Sequence, residues 1–384
     1  MMATDLSIGA DTLDVRWPDG TLSAYPYIWL RDNCPTGLHP QTQERMLDLL
    51  SIDPDPKPKA ARIAQGEAIV EWADEDHISR FSLDWLARHR PGRPLDDPAD
   101  IPLNVWRGDL DASGIPRYQA ESIQSDDGEL LDWMRATART GLSIVEGVAG
   151  RSDAGVAIAR RIGFLRQTNF GTTFEVINRP DPNNLAYTAE RLPLHTDLPN
   201  QEVPPGYQFL HCLANDAEGG GSLFADGFAI AEDLRREEPE AFALLSEIEV
   251  PFRFHDADAD IRVHCPVISL DRSGQLVEIH FNAHIAGVFD MPADVTTAYY
   301  RAYRAFMART RRQDYGVSLK LKAGEMVVFD NRRVLHGRDR FDPSTGFRHL
   351  HGCYVDRGEF SSRLRVLSRG DQVPVHGHTP GAVQ

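Results

Sequence analysis

Residues 325–355, EMVVFDNRRVLHGRDRFDPSTGFRHLHGCYV, contain the pattern that decides the fold. Two short apolar runs, 325–329 and 347–355, flank a polar segment rich in Asp, Asn, Arg and Gly. Short apolar runs bounded by turn-forming residues are typical of buried β-strands. The stretch therefore predicts two strands, the first of which leads into a loop that carries His336.

Similar short runs recur upstream and predict further strands, at 142–148, 207–212, 222–226, 250–254, 263–269 and 276–281. About eight short strands with few helices between them favour an antiparallel barrel or sandwich of jelly-roll type over a doubly wound sheet. Amphipathic patterns predict flanking helices at 127–140, 152–165 (with Ser152 as N-cap), 228–247 and 292–312. The predicted fold class is mostly β with helices outside the sheets.

The first 90 residues predict a separate β-rich module. Residues 13–25, LDVRWPDGTLSAY, alternate in hydropathy around Pro18-Asp19-Gly20, as a β-hairpin does, and a related pattern with Trp72 returns about 55 residues later. Four prolines in HRPGRPLDDPADIPLN, residues 89–104, disfavour regular structure. We expect a small N-terminal domain, a linker, a catalytic domain and a flexible tail at 1–95, 96–104, 105–370 and 371–384.

Composition limits the possible partners and the compartment. The chain has 384 residues with 41 Lys+Arg against 57 Asp+Glu, a formal charge of −16, which disfavours binding to nucleic acid. Its four cysteines are widely scattered, a distribution that favours a reducing compartment over a disulfide framework. We read neither a signal peptide nor an 18-residue apolar segment, and we therefore expect a cytoplasmic protein without a membrane partner.

His195-Thr196-Asp197 is a candidate for two ligands of a metal ion. In an extended segment residues i and i+2 point to the same side, so the imidazole and the carboxylate can reach one point. His336 is the candidate third ligand. Two histidines and one carboxylate leave open positions on a non-haem Fe(II) for a cosubstrate and dioxygen. The alternative interpretation of the triplet is an ordinary loop.

Arg348 and Ser222 are candidates for binding a carboxylate. Arg348 lies twelve residues after His336 on a predicted strand, where its planar guanidinium could donate two parallel hydrogen bonds. Ser222, in GGGSLFADG, could add a hydroxyl. The alternative for Arg348 is a surface ion pair.

Several motifs resemble those of a known enzyme family. The stretches HTD (195–197), GGGS (219–222), DNRRVLHG (330–337) and RHL (348–350) resemble the Fe(II)/2-oxoglutarate dioxygenases of the taurine dioxygenase superfamily. A narrower resemblance to the γ-butyrobetaine and trimethyllysine dioxygenases rests on WLRDNCP (29–35), NLAYT (184–188), LHC (210–212) and SRLR (362–365). The resemblance implies a double-stranded β-helix (jelly-roll) catalytic domain and a small N-terminal domain.

The resemblance also implies the roles of individual residues. His195, Asp197 and His336 would bind Fe(II), while Arg348 and Ser222 would hold the distal carboxylate of the cosubstrate 2-oxoglutarate. Dioxygen would be the oxidant, and ascorbate would support activity. The implied reaction is hydroxylation of an unactivated carbon in a small trimethylammonium zwitterion.

Aromatic and amide positions of the family suggest how such a substrate is held. A quaternary ammonium group cannot donate a hydrogen bond, so aromatic faces are its main partners. The implied aromatic cage is Phe170, Phe174, Tyr187 and Tyr354, and the implied partners of the acid end are Asn184 and Asn282. The family has Tyr and Trp where this chain has Phe170 and Phe174, and the alternative is that both are core residues.

Because of four further polar residues, two candidate substrates remain open. We interpret Arg262, His264, His280 and His284 as extra donors near the acid end, with structural roles as the alternative. Such donors suit a phosphonate at least as well as a carboxylate. The candidates are therefore γ-butyrobetaine and 2-(trimethylammonio)ethylphosphonate. An alkylsulfonate or other small-acid dioxygenase and a non-catalytic, cupin-like 2-oxoglutarate or metal binding protein remain alternatives.

The N-terminal module departs from its relatives, which resemble a zinc module with three closely spaced cysteines and a later histidine. Here Thr36 replaces one thiol, and Cys34, His39 and His77 would form an incomplete site. Structural zinc almost always has four protein ligands, so we expect zinc to be absent or weakly bound. We also expect a homodimer.

Overall fold

The computed structural model describes residues 3, 5–73, 76–180 and 185–369. These residues divide into two compact units, one ending at Asp97 and the other beginning at Pro98. The predicted tail at 371–384 and the candidate residue Asn184 lie outside the described residues. Within the described part of the chain, no helix combines the length and the apolar character that crossing a bilayer requires.

The N-terminal unit is built from two three-stranded antiparallel sheets, each followed by a short helix. The elements are β1 (Asp5–Ile8), β2 (Thr12–Arg16), β3 (Leu22–Pro26), α1 (Tyr27–Asp32), β4 (Pro58–Ala64), β5 (Glu67–Trp72), β6 (Ile78–Ser82) and α2 (Leu83–Arg88). The predicted hairpin is β2 and β3, and β5 and β6 form the second.

The sequence repeat produces a repeated packing contact. In the first hairpin, Nε1 of Trp17 donates a 2.8 Å hydrogen bond to Oγ of Ser23. In the second, Nε1 of Trp72 donates a 2.9 Å bond to Oγ of Ser79. Both indoles are buried in one shared hydrophobic cluster, so each bond satisfies a polar group that would otherwise be buried alone.

The second unit combines many short strands with seven described helices. Its strands are β7 (Arg117–Gln119), β8 (Leu142–Glu146), β9 (Thr173–Ile177), β10 (Leu192–His195), β11 (Tyr207–Asn215), β12 (Glu218–Gly219), β13 (Ser222–Asp226), β14 (Val250–His255), β15 (Asp260–Cys265), β16 (Ile268–Leu270), β17 (Leu276–Ile279), β18 (Gly316–Leu319), β19 (Met326–Asp330), β20 (Val334–Arg338), β21 (Phe341–Asp342) and β22 (Arg348–Val355). Its helices are α3 (Ala120–Ser125), α4 (Asp127–Thr140), α5 (Ser152–Arg160), α6 (Gly227–Glu237), α7 (Pro239–Glu247), α8 (Ala293–Arg309) and α9 (Arg357–Ser368).

Two sheets of this unit pack against each other. One has the order β7-β8-β19-β11-β22-β9 and the other the order β10-β20-β13-β18. Their pairs are antiparallel except β7 with β8. Apolar residues of both sheets, such as Leu210 and Val327 on one and Phe224 and Val334 on the other, form a single buried cluster. The unit is therefore a β-rich sandwich with flanking helices.

Two prolines divide elements that the sequence predicted as continuous. The helix expected at 228–247 is two helices, because Pro239 lacks the backbone N–H that a continuous helix needs. The strand expected at 263–269 is interrupted at Pro266 for the same reason and contributes to two different sheets.

The prediction for Ser152 was also wrong: Ser152 is the first helical residue, Arg151 occupies the N-cap position, and α5 ends at Arg160.

Seven strands of this unit were not predicted: β7, β9, β10, β12, β18, β20 and β21. Strand β20 matters most, because His336 lies within it and not in a loop as we expected. All five residues of β20 are buried, which means that neither face of the strand needs polar side chains. Its sequence, VLHGR, accordingly does not alternate between apolar and polar types. A strand buried on both faces and rich in functional residues lacks the period that identifies most strands.

Candidate active site

A cavity of about 320 Å³ opens between the two main sheets. Residues of β9, β10, β11, β13, β20 and β22 line it, together with residues of the connecting loops. His195, Asp197, His336, Ser222 and Arg348 all lie on its wall. The structure thus brings together residues that are up to 153 positions apart in the sequence.

His195 and His336 face each other on paired strands. They are register partners in the antiparallel pair of β10 and β20, and their ring centroids are 4.3 Å apart. A register shift between Leu192 and His195 creates this pairing. With the register of Leu192 continued, His195 would lie opposite Leu335, so the β-bulge aims the histidine at the site.

The two histidines and Asp197 form a compact donor set. Oδ1 of Asp197 lies 3.1 Å from Nε2 of His195 and 3.5 Å from Nε2 of His336. One ligand atom from each residue falls within 4.8 Å of the other two, and no other group of this kind occurs among the described residues. Two imidazoles and one carboxylate can hold a divalent transition metal.

Asn331 holds the backbone of Asp197 in place. Its Oδ1 accepts a 2.6 Å hydrogen bond from the Asp197 amide, and its Nδ2 donates to the carbonyls of Asp197 at 3.0 Å and Pro205 at 3.1 Å. Asn331 is fully buried at the end of β19. This bracket fixes the turn in which Leu198 adopts a positive φ of 54°.

The surroundings favour the ligand forms of all three side chains. Nδ1 of His195 lies 2.9 Å from the carbonyl of Pro193, which can accept its proton and leave the Nε2 lone pair on the side of Asp197. Burial lowers the pKa of His336 to about 3, so this imidazole is neutral. Burial opposes ionisation of Asp197, but its hydrogen bonds with His195 and the Tyr354 hydroxyl hold its pKa below the usual range.

Arg348 is a buried cation that no protein carboxylate neutralises within the described residues. Its Nε donates a 3.3 Å hydrogen bond to the carbonyl of Gly220. Burial and the neighbouring Arg338 lower its pKa to about 10, which leaves it charged at neutral pH. A Cβ on Gly220 would lie 3.1 Å from Cδ of Arg348, so the glycine-rich segment leaves room for the guanidinium. Ser222, also buried, lines the same cavity.

All four aromatic residues of the predicted cage line the cavity: Phe170, Phe174, Tyr187 and Tyr354. Phe174 stacks on Tyr354 with a centroid distance of 4.9 Å and an interplanar angle of 29°. Phe170 packs edge-on against Phe254 at 5.2 Å. Phe254 also lines the cavity and was not predicted, although the alternation of Phe252, Arg253 and Phe254 in the sequence is a signal that could have found it.

The predicted cluster of acid-end donors is only partly present. Asn282 and His284 line the cavity, and Nδ2 of Asn282 donates a 3.2 Å bond to the carbonyl of Thr196. Arg262 and His264 are exposed on β15, and His264 pairs with Asp290 at 2.9 Å. The prediction was wrong for these two, because the alternation of β15 turns both side chains to solvent.

His280 does not line the cavity either and belongs to a buried ion pair. Its Nε2 lies 3.0 Å from Oε2 of Glu278, and its Nδ1 lies 3.0 Å from the carbonyl of Pro266. Both partners are acceptors, so both ring nitrogens must donate. Burial opposes the charge, but hydrogen bonds with Cys265 and Glu278 raise the pKa of His280 to about 9.

Three polar residues of the cavity were missed by the sequence analysis. Arg338 lies two positions after His336, and Gln208 and Asn200 are buried with side-chain oxygens that have no hydrogen-bond partner within the described residues. Gln208 had a signal, since it is the polar residue in the apolar strand YQFLHC. Asn200 had none.

In the N-terminal unit, Cys34 and His77 lie together, with Sγ and Nε2 3.4 Å apart. Nδ1 of His39 instead accepts hydrogen bonds from the amides of Gln41 and Thr42 in its own loop. Thr36 contributes a hydroxyl 3.1 Å from Sγ of Cys34. The described residues therefore bring two of the three predicted ligands into contact and hold a nitrogen of the third in a turn.

Comparisons with known proteins identify both units. Residues 107–354 match the model of "Taurine catabolism dioxygenase TauD, TfdA family", and residues 5–87 match "Gamma-butyrobetaine hydroxylase-like, N-terminal". γ-Butyrobetaine dioxygenase of Pseudomonas sp. (strain AK-1) is 42% identical over 366 residues, which cover 94% of each chain.

Two animal relatives match over similar lengths. Human γ-butyrobetaine dioxygenase is 32% identical over 94% of this chain and 95% of its own. The mitochondrial trimethyllysine dioxygenase of Gallus gallus is 30% identical over 93% of this chain and 86% of its own. The resemblance inferred from the motifs is confirmed, and with it the requirement for Fe(II), 2-oxoglutarate and dioxygen. The chain belongs to the TauD, TfdA family of Fe(II)- and 2-oxoglutarate-dependent dioxygenases, in the group of the γ-butyrobetaine dioxygenases.

Proposed function

We propose that the enzyme hydroxylates an unactivated carbon of a small trimethylammonium zwitterion, either γ-butyrobetaine or 2-(trimethylammonio)ethylphosphonate. One observation carries the proposal: a single cavity contains the His195, Asp197 and His336 donor set, an unneutralised buried guanidinium and four aromatic rings that the family resemblance assigned to a cage. The relatives named for γ-butyrobetaine and trimethyllysine support this substrate class.

His195, Asp197 and His336 would hold Fe(II) in this cavity. Bound Fe(II), with 2-oxoglutarate and dioxygen, supplies the oxidising chemistry that inserts one oxygen atom into a C–H bond and yields succinate and carbon dioxide. The protein contributes an ionised Asp197, a neutral His336 and a second hydrogen bond on each of Asp197 and His195 that orients the ligand.

Arg348 and Ser222 would bind the distal carboxylate of 2-oxoglutarate. A buried guanidinium without a protein counter-ion is costly, and a carboxylate that binds there recovers this cost through charge-assisted hydrogen bonds. Because Arg348 and the donor set line the same cavity, the cosubstrate can contact both.

The aromatic residues Phe170, Phe174, Tyr187 and Tyr354 would face the trimethylammonium group. Each well-placed ring contributes about 0.5–2 kcal/mol to binding of a cation. Phe254 extends this aromatic wall through its contact with Phe170. The hydroxyl of Tyr354 is already bonded to Asp197, so its ring is oriented before substrate binds.

Asn282 and His284 would contact the acid end of the substrate, with Asn184 as a further partner that lies outside the described residues. One extra histidine, in place of the four extra donors that we expected, supports a phosphonate less strongly than the sequence suggested. Both acids therefore stay in the proposal, and a direct comparison of rates decides between them.

The proposal extends to the architecture and the setting of the enzyme. Two packed antiparallel sheets support a double-stranded β-helix (jelly-roll) for the catalytic domain at 105–370, after a small domain at 1–95 and a linker at 96–104. The Cys34 and His77 pair supplies two ligand atoms where structural zinc wants four, which supports weak or absent zinc. Four unpaired thiols support a reducing, cytoplasmic compartment, and a formal charge of −16 supports the absence of a nucleic-acid partner. A homodimer and stimulation by ascorbate are further parts of the proposal.

A substrate panel tests the proposed function. Purified protein with Fe(II), 2-oxoglutarate and ascorbate is given γ-butyrobetaine, its phosphonate analogue or taurine, and succinate and the added oxygen atom are measured by mass spectrometry. We expect faster succinate formation and a product 16 mass units heavier with a trimethylammonium substrate, as insertion of one oxygen requires. Equal rates with taurine would contradict the cage and favour a small-acid dioxygenase of another specificity.

A further inference from the structure

Arg338 is a second buried arginine on the wall of the active-site cavity. It lies at the end of β20, two residues beyond His336, with only 4% of its surface exposed. Among the described residues, no carboxylate lies within 4.0 Å of its guanidinium. An arginine in this position needs another explanation than a salt bridge.

The guanidinium of Arg338 donates its hydrogen bonds to one short segment. Nη1 donates to the carbonyl of Ala186 at 3.1 Å, and Nη2 donates to the carbonyls of Thr188 at 2.7 Å and Glu190 at 2.9 Å. These three carbonyls surround Tyr187 in the sequence. The fixed fork of an arginine suits this arrangement, because several donors in one plane reach neighbouring carbonyls at once.

A second arginine holds the same segment at Tyr187 itself. The backbone amide of Arg179 donates a 2.9 Å hydrogen bond to the carbonyl of Tyr187, and the Arg179 guanidinium lies 4.0 Å from the centre of the Tyr187 ring. One face of this ring is therefore covered by a protein cation. The ring still lines the cavity, so its position relative to the cavity depends on how the segment is anchored.

We propose that Arg338 is a positioning residue for the substrate cation, because it ties the segment that carries Tyr187 to the strand that carries His336. Its three hydrogen bonds fix the separation between an aromatic wall of the cage and the metal-binding cluster. This inference rests on the proposed function, in which Tyr187 faces the trimethylammonium group. A displaced cage would place the substrate carbon wrongly, so cosubstrate would be consumed without hydroxylation.

Arg338→Met tests the inference, with Arg340→Met as the matched control. Arg340 is two residues away, its side chain is 75% exposed, and it approaches only the carboxylate of Glu190 in this segment, at 3.9 Å. The first readout is hydrogen exchange of the metal-free protein. We expect amides at 185–190 to exchange about tenfold faster or more in Arg338→Met, with other regions unchanged.

The second readout is steady-state kinetics. In Arg338→Met we expect the KM for the trimethylammonium substrate to rise about tenfold and the succinate formed per hydroxylated product to increase, while the KM for 2-oxoglutarate changes by less than about threefold. Arg340→Met should match the wild type in both readouts. If Arg338→Met does not fold, Arg338→Lys keeps the charge with fewer donors and should show the same localised changes at smaller size.

Unchanged exchange at 185–190 in a folded Arg338 variant would overturn the inference, and so would a rise in the KM for 2-oxoglutarate as large as that for the substrate. The exchange experiment needs neither metal nor substrate. If wild-type enzyme fails to hydroxylate any trimethylammonium compound, the proposed function fails, whereas the anchoring of the segment by Arg338 is judged separately from the exchange data.

Discussion

The hydroxyl of Tyr354 donates a 2.7 Å hydrogen bond to Oδ2 of Asp197. The other oxygen of this carboxylate, Oδ1, faces His195 and His336. Tyr354 also stacks on Phe174, so one side chain connects the aromatic wall with the donor set. Hydrogen bonds of this kind orient metal ligands and tune their affinity.

Tyr354→Phe keeps the aromatic ring and removes only the hydroxyl. We expect affinity for Fe(II), or for Mn(II) as a redox-stable probe, to fall about 10-fold or more, as is usual when such a partner of a ligand is lost. Anaerobic calorimetric titration measures this change. Tyr303→Phe is the control, because the buried hydroxyl of Tyr303 has no hydrogen-bond partner among the described residues. Wild-type metal affinity in Tyr354→Phe would contradict the proposed link.

Asn331→Ala removes the side-chain hydrogen bonds that hold the backbone amide and carbonyl of Asp197. Because the amide and the carbonyl of Asp197 would lose buried partners, we expect the free energy of unfolding to fall by about 2–4 kcal/mol and metal affinity to fall with it. Urea denaturation and metal titration measure the two effects. Asn215→Ala, which loses a 2.9 Å bond to the carbonyl of Leu321 away from the donor set, should reduce stability alone. Equal metal affinities in the two variants would argue against a positioning role for Asn331.

Arg348→Met tests the cosubstrate site. Two charge-assisted hydrogen bonds of about 1.5 kcal/mol each correspond to about a 100-fold increase in the KM for 2-oxoglutarate, with a smaller effect on the KM for the quaternary amine. Initial rates over a range of 2-oxoglutarate concentrations give the answer. Arg312→Met, at an exposed arginine paired with Asp314, should behave as wild type. An increase confined to the KM of the amine would mean that Arg348 serves the other substrate.

Phe174→Leu and Phe174→Trp test the aromatic wall in opposite directions. Since one ring contributes about 0.5–2 kcal/mol to cation binding, Leu should raise the KM for the trimethylammonium substrate between about 2-fold and 30-fold. Trp should lower it if it fits beside Gly352, where a Cβ would lie 2.5 Å from the Phe174 ring. Binding of a neutral tert-butyl isostere is the control. A loss of equal size for cation and isostere would indicate shape, and not charge, as the basis of recognition.

The raised pKa of His280 predicts how the free energy of unfolding depends on pH. Its folded pKa of about 9 lies above the ordinary histidine value of about 6.5, so its contribution to stability is fully present below pH 6.5 and is lost as the pH rises through 9. We expect the free energy of unfolding to decline across this window in wild type and less steeply in His280→Gln. Urea unfolding at pH 6, 7.5 and 9 measures the slope. Parallel slopes in both proteins would show that His280 is not the titrating group.

The sequence was informative wherever local pattern and residue type decide the outcome. The helix at 127–140 and the strand at 222–226 have the predicted bounds, because each depends on a local period and on its own end signals. The candidates His195, Asp197, His336, Arg348 and Tyr187 could be selected because each lies in a short contiguous motif. Phe170, Phe174 and Tyr354 were selected from the positions that the family resemblance implies. Two errors in the predicted element bounds also have a local cause, because Pro239 separates α6 from α7 and Pro266 separates β15 from β16.

The direction of polar side chains required the fold. Arg262 and His264 are two positions apart, so the sequence establishes that they share a face of a strand, but only the pairing of β15 with β14 turns that face to solvent. The sequence also offered His280 as a hydrogen-bond donor to the substrate, but in the structure its Nε2 is bonded to Glu278.

The sequence by itself determined which residue types are available: two histidines and an aspartate that can hold a metal ion, an arginine that can pair with a carboxylate, and several aromatic rings. It also determined the family to which the chain belongs. Only the tertiary structure decided which of them meet. The bulge in β10 aims His195 at His336, and the anchoring of 185–190 by Arg338 places Tyr187 at the cavity. Register and packing are set by contacts between residues far apart in the chain, and no local window of sequence contains those contacts.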